Sequence, residues 1–287
     1  MTLTKSDALV DTAWLARHLD APDVRVVDAS WDVPPSQVDF AEEYRGEHIP
    51  GAVYFNISEI SDKRSTLPHM LPDPAFFASQ VRKLGLGDGN RIVVYDRAGG
   101  GLAAARVWWM FRVFGHRDVA VLDGGIDKWI EEGRPVSDAP PTPRERPFVP
   151  RVNQLLVRTA AQVRGAVESG HEQVVDARSR GRFAGREPDV WPGRRSGHIP
   201  GSRNLPWGEL LDPVTRTMRP VGELRERFAA AGVDLKRPVV TTCGSGVTAC
   251  LLALALAVAG HEDAAVYDGS WAEWGLDADL PVAVGPP

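Results

Sequence analysis

Pro238-Val239-Val240-Thr241-Thr242-Cys243-Gly244-Ser245-Gly246-Val247-Thr248-Ala249 reads as three pieces in a row: a β-branched run, a glycine-rich turn and the opening of an apolar helix. β-Branched residues fit the pleated strand, and the Gly-Ser-Gly turn ends it. The apolar run Ala249 to Ala259, 11 residues long, suits a buried core helix and is too short to span a bilayer. A strand that passes directly into a helix is the unit of a parallel sheet. Its carboxyl end is where open α/β sheets bind ligands. The same grammar occurs earlier, where Arg91-Ile92-Val93-Val94-Tyr95 leads into Asp96-Arg97-Ala98-Gly99-Gly100-Gly101-Leu102-Ala103. Aligning the two strands sets Asp96 opposite Cys243.

Working outward, the correspondence extends along the chain. Leu9-Val10-Asp11-Thr12-Ala13 returns as Leu156-Val157-Arg158-Thr159-Ala160, and Val26-Val27-Asp28-Ala29 as Val174-Val175-Asp176-Ala177. His48-Ile49-Pro50-Gly51 returns as His198-Ile199-Pro200-Gly201, and Asp123-Gly124-Gly125 as Asp268-Gly269-Ser270. The four offsets lie between 145 and 150, which identifies a duplicated domain. Further strands are expected at Val24–Asp28, Gln173–Asp176, Val119–Leu122 and Ala265–Tyr267, with helical segments between them. The fold class is therefore α/β: two tandem domains, each a parallel sheet covered by helices on both faces. The expected division is an N-terminal supporting domain over 1–136, a Pro-rich linker over 137–152 and a C-terminal catalytic domain over 153–287. The prolines that cluster between Arg134 and Pro150 (Pro135, Pro140, Pro141, Pro143, Pro147 and Pro150) suit a semi-rigid, extended linker, expected to run across the back of both domains.

Composition narrows the function classes. The chain has 287 residues, 43% hydrophobic and 25% charged, with a net charge of −5. That balance is globular and argues against nucleic acid or an anionic membrane as partner. The first ten residues lack the basic, apolar and small-residue order of a signal peptide. Cys243 and Cys250 are the two cysteines; their placement across a helix start excludes a disulfide framework and suits a reducing, cytoplasmic compartment. No metal and no cofactor is expected. Gly99-Gly100-Gly101 lacks the lysine-serine or acidic partner that a nucleotide loop needs.

Cys243 carries the chemistry. At a strand end and before a helix, its thiolate can be stabilised by main-chain N–H groups and by the positive helix terminus. The glycines on either side of Ser245 let the loop curl into an anion nest. Cys250, among Leu251-Leu252-Ala253-Leu254, is core. One copy keeps a nucleophile and the other does not, the pattern of an active and a supporting domain.

These residues resemble the two-domain rhodanese and 3-mercaptopyruvate sulfurtransferases. The resemblance runs through Gly46-Glu47-His48-Ile49-Pro50-Gly51-Ala52, Pro68-His69-Met70-Leu71-Pro72, Gly181-Arg182-Phe183 and Ser196-Gly197-His198-Ile199-Pro200-Gly201-Ser202 to Tyr267-Asp268-Gly269-Ser270-Trp271-Ala272-Glu273-Trp274. It covers essentially the whole chain. The loop Cys243-Gly244-Ser245-Gly246-Val247-Thr248 is similar to the mercaptopyruvate branch; the thiosulfate branch carries basic residues just after the cysteine. The resemblance implies a persulfide on Cys243, formed from 3-mercaptopyruvate with release of pyruvate and passed to thioredoxin or a small thiol such as glutathione. It also implies a substrate site built from Gly244, Gly246, Val247 and Thr248, with Ser245 as a donor to the keto oxygen and His69 as proton relay.

Arg182 matches the family's carboxylate-binding arginine; the competing reading is a solvated basic stretch with Arg178, Arg180 and Arg186. The family's second arginine falls at Trp191, with Arg194 or Arg195 as possible substitutes. The acidic partner of the loop histidine falls at Ser58, with Glu59 or Asp62 in reach. His48 and His198 occur in both copies and are read as structural, as are Asp268 and Trp271, echoed by Asp123 and Trp129. Thiosulfate sulfurtransferase is the alternative enzyme, and a non-catalytic sulfur-relay module the alternative of another class. A cysteine-loop phosphatase needs an arginine where Ala249 stands.

Overall fold

The structure is a computed structural model that describes residues 8–31, 37–97 and 100–286. Gly99, part of the glycine run considered above, and most of the first ten residues lie outside the described residues.

The first copy runs β1 (Leu9–Val10), α1 (Thr12–His18), β2 (Val24–Asp28), α2 (Phe40–Gly46), β3 (Val53–Tyr54), α3 (Pro74–Lys83), β4 (Arg91–Tyr95), α4 (Leu102–Val113), β5 (Val119–Leu122) and α5 (Gly125–Glu131). The second runs β6 (Val157–Arg158), α6 (Ala160–Ser169), β7 (Gln173–Asp176), α7 (Arg180–Phe183), β8 (Arg203–Asn204), α8 (Val221–Ala230), β9 (Val239–Thr242), α9 (Val247–Val258), β10 (Ala265–Tyr267) and α10 (Ser270–Trp274). Each forms a five-stranded parallel sheet, ordered β1-β5-β4-β2-β3 and β6-β10-β9-β7-β8. The expected α/β duplication is the architecture observed. Strands β4 and β9 lie at the middle of their sheets, and their residues are buried almost throughout, as parallel strands covered on both faces must be. Helix α9 is buried along nearly its whole length, so the apolar run at 249–259 is core, and no helix of the described residues is long and apolar enough to cross a membrane.

Both copies return to the His-Ile-Pro-Gly turn after their last helix. His48 pairs with Ser137 and His198 with Ala283 through isolated antiparallel bridges. His48 Nδ1 meets the Tyr44 carbonyl at 2.7 Å and His198 Nδ1 the Phe183 carbonyl at 2.8 Å. These two histidines hold turns together. The echo of Trp129 needs a correction: it is Trp274, not Trp271. Trp129 Nε1 donates to the Pro135 carbonyl and Trp274 Nε1 to the Pro281 carbonyl, each at 2.7 Å. Trp271 instead donates from Nε1 to Arg195 O at 2.9 Å.

Grouping by contacts gives two compact units that interleave along the chain. One contains residues up to Lys63, Leu71–Asn153 and Val214–Met218; the other contains Arg64–Met70, Gln154–Pro213 and Arg219–Pro287. The proline-rich segment therefore belongs with the first unit. Phe148 is buried among Phe77, Phe111 and His116, and its carbonyl accepts from Arg82 Nη2 at 2.8 Å.

Candidate active site

The two loops after β4 and β9 do different things with the same backbone plan. Helix α4 begins six residues after Asp96 and α9 four residues after Cys243, so the first loop is two residues longer. Both helices start behind a left-handed glycine, Gly101 (φ 85°) and Gly246 (φ 78°), neither of which supplies a side-chain cap. In the first copy the cap comes from the strand end. Asp96 Oδ1 accepts from Gly101 N–H at 3.0 Å, and Oδ2 from Ala103 N–H at 2.8 Å and Ala104 N–H at 2.9 Å. An anion thus sits in the nest that the helix N-terminus forms. Counted from the helix starts, the corresponding N–H groups of the second copy belong to Gly246, Thr248 and Ala249, and Cys243 replaces the carboxylate.

Cys243 is buried and fixed by main-chain contacts. Its N–H donates to Ser270 Oγ at 3.1 Å, and its carbonyl accepts from Trp271 N–H at 3.0 Å. Ser270 Oγ also accepts from Thr242 Oγ1 at 3.3 Å and donates to the Tyr267 carbonyl at 2.7 Å. Gly244 O accepts from Ala272 N–H at 2.8 Å. Helix α10 therefore carries the loop. Ser270 is wholly buried with φ 49°, a left-handed conformation that a serine adopts only under constraint. Sequence reasoning passed over it, although the signal was there: the matching position of the first copy is Gly125, also left-handed at φ 61°. Ser245 in the same loop, and Val247 and Thr248 at the start of α9, are buried as well. Cys250 lies one turn into α9 with Sγ 3.1 Å from Gly246 O.

His69 reaches this unit on the segment Arg64–Met70. Its backbone is left-handed (φ 58°), and its ring meets Trp191 edge-on at 5.9 Å between centroids. The duplication has a twin for it. His69 stands five residues before α3 and Arg216, at φ 56°, five before α8. Arg216 lies in the first unit, where Nη1 meets Asp127 Oδ2 at 2.9 Å, and the nearby Met218 N–H donates to Asp123 Oδ1 at 2.7 Å. Each copy lends the same loop to the other unit, one tipped with histidine and one with arginine. Glu59, one candidate acid for His69, is exposed and ion-paired with Lys63 at 3.2 Å.

The arginines separate sharply. Arg182, on α7, is half-buried; among the described residues its guanidinium contacts only Ser179 Oγ, at 3.5 Å. Arg178 is not part of a solvated stretch. It is buried, bidentate on Asp176 (2.7 Å at the shortest), 3.2 Å from Asp189 and 4.4 Å above the Trp271 ring. Arg180 pairs with Glu209 at the surface. Arg194 donates to the Ala272 and Pro192 carbonyls, and Arg195 to those of Trp274 and Gly275. Both are occupied in holding α10. Trp191 occupies the place beside the loop: a Cβ on Gly244 would lie 3.3 Å from its Nε1.

The rhodanese-like domain model matches residues 11–132 and 159–277. The chain is 41% identical over 276 residues to the 3-mercaptopyruvate sulfurtransferase of Homo sapiens, covering 94% of this chain and 93% of that protein. It is 45% identical over 273 residues to the thiosulfate sulfurtransferase of Bos taurus, covering 93% and 91%. The crystal structure of SseA from Escherichia coli, presented for the mechanism of 3-mercaptopyruvate sulfotransferases, is similar at a TM-score of 0.85 and 37% identity, over 93% of this chain and 99% of that one.

Proposed function

Because the chain belongs to the rhodanese-like family, in two tandem copies, and is a sulfurtransferase of the mercaptopyruvate and thiosulfate kind, we propose that it moves sulfur from 3-mercaptopyruvate through a persulfide on Cys243 to a thiol. The observation that supports this reading is the pair of loops: the strand end whose Asp96 carboxylate binds three N–H groups at the start of α4 in one copy carries Cys243 ahead of α9 in the other.

The Cys243 thiolate attacks the donor sulfur. The carbon–sulfur bond breaks, its electron pair passes to carbon as the enolate of pyruvate, and protonation completes the product. The enolate charge collects on the keto oxygen, where Ser245 Oγ is the assigned donor. His69 is assigned the proton transfer, with Glu59 or Asp62 as its acid, and Arg182 the donor carboxylate. The N–H groups of Gly246, Thr248 and Ala249, the counterparts of those that bind Asp96, cradle the persulfide, and Gly244 and Val247 line the donor site beside them. An acceptor thiolate, from thioredoxin or glutathione in the cytoplasm, then attacks the outer sulfur and expels Cys243. In this reading residues 1–136 support, 137–152 link and 153–287 catalyse.

The test is to load the protein with 3-mercaptopyruvate or thiosulfate and locate the added sulfur by peptide mass spectrometry. We expect one sulfur on the Cys243 peptide, none in Cys243→Ser, and nearly full turnover in Cys250→Ala. Sulfur on Cys250 overturns the assignment. A kcat/KM ratio favouring thiosulfate makes thiosulfate the donor and leaves the persulfide step intact.

A further inference from the structure

We propose that Trp191 determines which sulfur donor the site accepts, an assignment that rests on sulfur transfer through Cys243. Three observations place this indole beside the reactive loop. Its Nε1 edge lies against Gly244, where an added methyl group would come within 3.3 Å of Nε1 and 3.6 Å of Cδ1. Its ring meets His69 edge-on at 5.9 Å. Its main-chain N–H donates to Asp189 Oδ1 at 3.2 Å, and the other oxygen of that carboxylate is held by buried Arg178 at 3.2 Å. Trp191 is thus tied through its main chain to the Asp189–Arg178 ion pair, and its indole lies beside the residue next to the nucleophile.

Gly244 does not have a left-handed backbone, so main-chain geometry does not demand glycine there. The indole favours it, since a Cβ there would press on Nε1 by a few tenths of an ångström. With glycine in that place the loop carries no cation directly after Cys243 to neutralise a doubly charged donor. What the wall offers instead is a flat, uncharged face and one N–H, which has no acceptor among the described residues. A dianion such as thiosulfate needs paired positive charge. A donor with one carboxylate and a planar carbon skeleton needs less, since Arg182 takes the charge and the indole supplies apolar contact and a single hydrogen bond. The site therefore selects monoanionic keto-thiols over dianionic inorganic donors.

The experiment uses full-length protein as wild type, Trp191→Phe, Trp191→Ala, Gly244→Ala and the Trp191→Ala/Gly244→Ala double variant. Single-turnover sulfur loading of Cys243 and kcat/KM are measured with 3-mercaptopyruvate and with thiosulfate. Trp191→Phe keeps the flat wall and loses the donor, so kcat/KM for mercaptopyruvate should fall on the order of tenfold, mostly through KM. Trp191→Ala should shift the mercaptopyruvate-to-thiosulfate ratio by about tenfold or more toward thiosulfate. Gly244→Ala should impair the wild type but add little in the Trp191→Ala background, because the contact it violates is gone. Additive losses in the double variant, or an unchanged donor ratio in Trp191→Ala and Trp191→Phe, overturn the assignment alone. Failure of wild type to load sulfur from either donor overturns the proposed function, and this assignment with it.

Discussion

Asp96 and Cys243 occupy equivalent strand ends, yet one carries a carboxylate bonded to three N–H groups at the start of the following helix and the other a buried thiol. Burial pushes Asp96 up to about 6, above the ordinary aspartate range, because desolvation of the charge outweighs its three N–H bonds. A carboxyl that holds its proton more tightly folded than unfolded adds stability that is complete below the ordinary range and is lost as pH rises through about 6. The excess stability of wild type over Asp96→Asn, read as urea midpoints, should therefore shrink between about pH 4 and 6.5 and then stay constant. Parallel profiles would contradict it. Asp28, also raised by burial, retains part of the slope in both proteins. Arg182→Ala should lower kcat/KM for mercaptopyruvate on the order of 10- to 150-fold, the worth of about 1.5–3 kcal/mol for a hydrogen bond to a charge; an equal loss with thiosulfate would remove it from carboxylate binding. The cysteine was legible in the sequence because its twin is an aspartate. Arg178 and Arg182 were not separable, since four residues apart in one basic stretch nothing local says which of them meets buried carboxylates.

Elements β7 and α10, together with the segment around Asp189, meet on that buried arginine. Arg178 neutralises Asp176 at the end of β7 and Asp189 beside Trp191, and lies over Trp271 of α10. Arg178→Met would leave two carboxylates buried without their cation, a change expected to destabilise by about 3–5 kcal/mol. Exposed Arg186→Met should stay within about 0.5 kcal/mol. Chemical denaturation of both variants checks the contrast, and similar midpoints would mean that water or rearrangement replaces the guanidinium. At this scale the repeat was informative wherever both copies kept the same residues, as in β2 and β7 or the two His-Ile-Pro-Gly turns. It misleads at Trp129, because the tryptophan nearest to the second Asp-Gly pair, Trp271, is not its twin. The hydrogen bonds to Pro135 and Pro281 show that the later one, Trp274, fills that role. Ser270 went unnoticed because a left-handed backbone leaves a trace in sequence only as glycine, and that trace lay in the other copy.

For the molecule as a whole, the duplication is not a simple end-to-end repeat, since each half lends a loop to the other unit. Sequence periodicity cannot reveal such an exchange; it aligns Pro68-His69-Met70 with Thr215-Arg216-Thr217 but does not say with which unit either loop packs. The exchange makes a definite statement about truncation. A fragment beginning near residue 153 contains Cys243, Ser245, Arg182 and all of α10, so Cys243 keeps its main-chain anchors and should remain alkylatable. It lacks Arg64–Met70, a piece of its own compact unit, and with it the ring that meets Trp191. Its own loop Val214–Met218 loses Asp123 and Asp127, to which it is bonded. Turnover of a monodisperse fragment with mercaptopyruvate should therefore fall at least as far as that of full-length His69→Ala, while sulfur loading of Cys243 persists at a reduced rate. Solubility must be checked first, because severed surfaces promote association. Adding the 1–152 fragment in trans should restore part of the turnover only if its residues 64–70 can dock again, and the same fragment carrying His69→Ala should not restore it. Near-full turnover by the isolated fragment would show that the lent loop does no more than fasten the chain, and the proton transfer assigned to His69 would have to come from within residues 153–287.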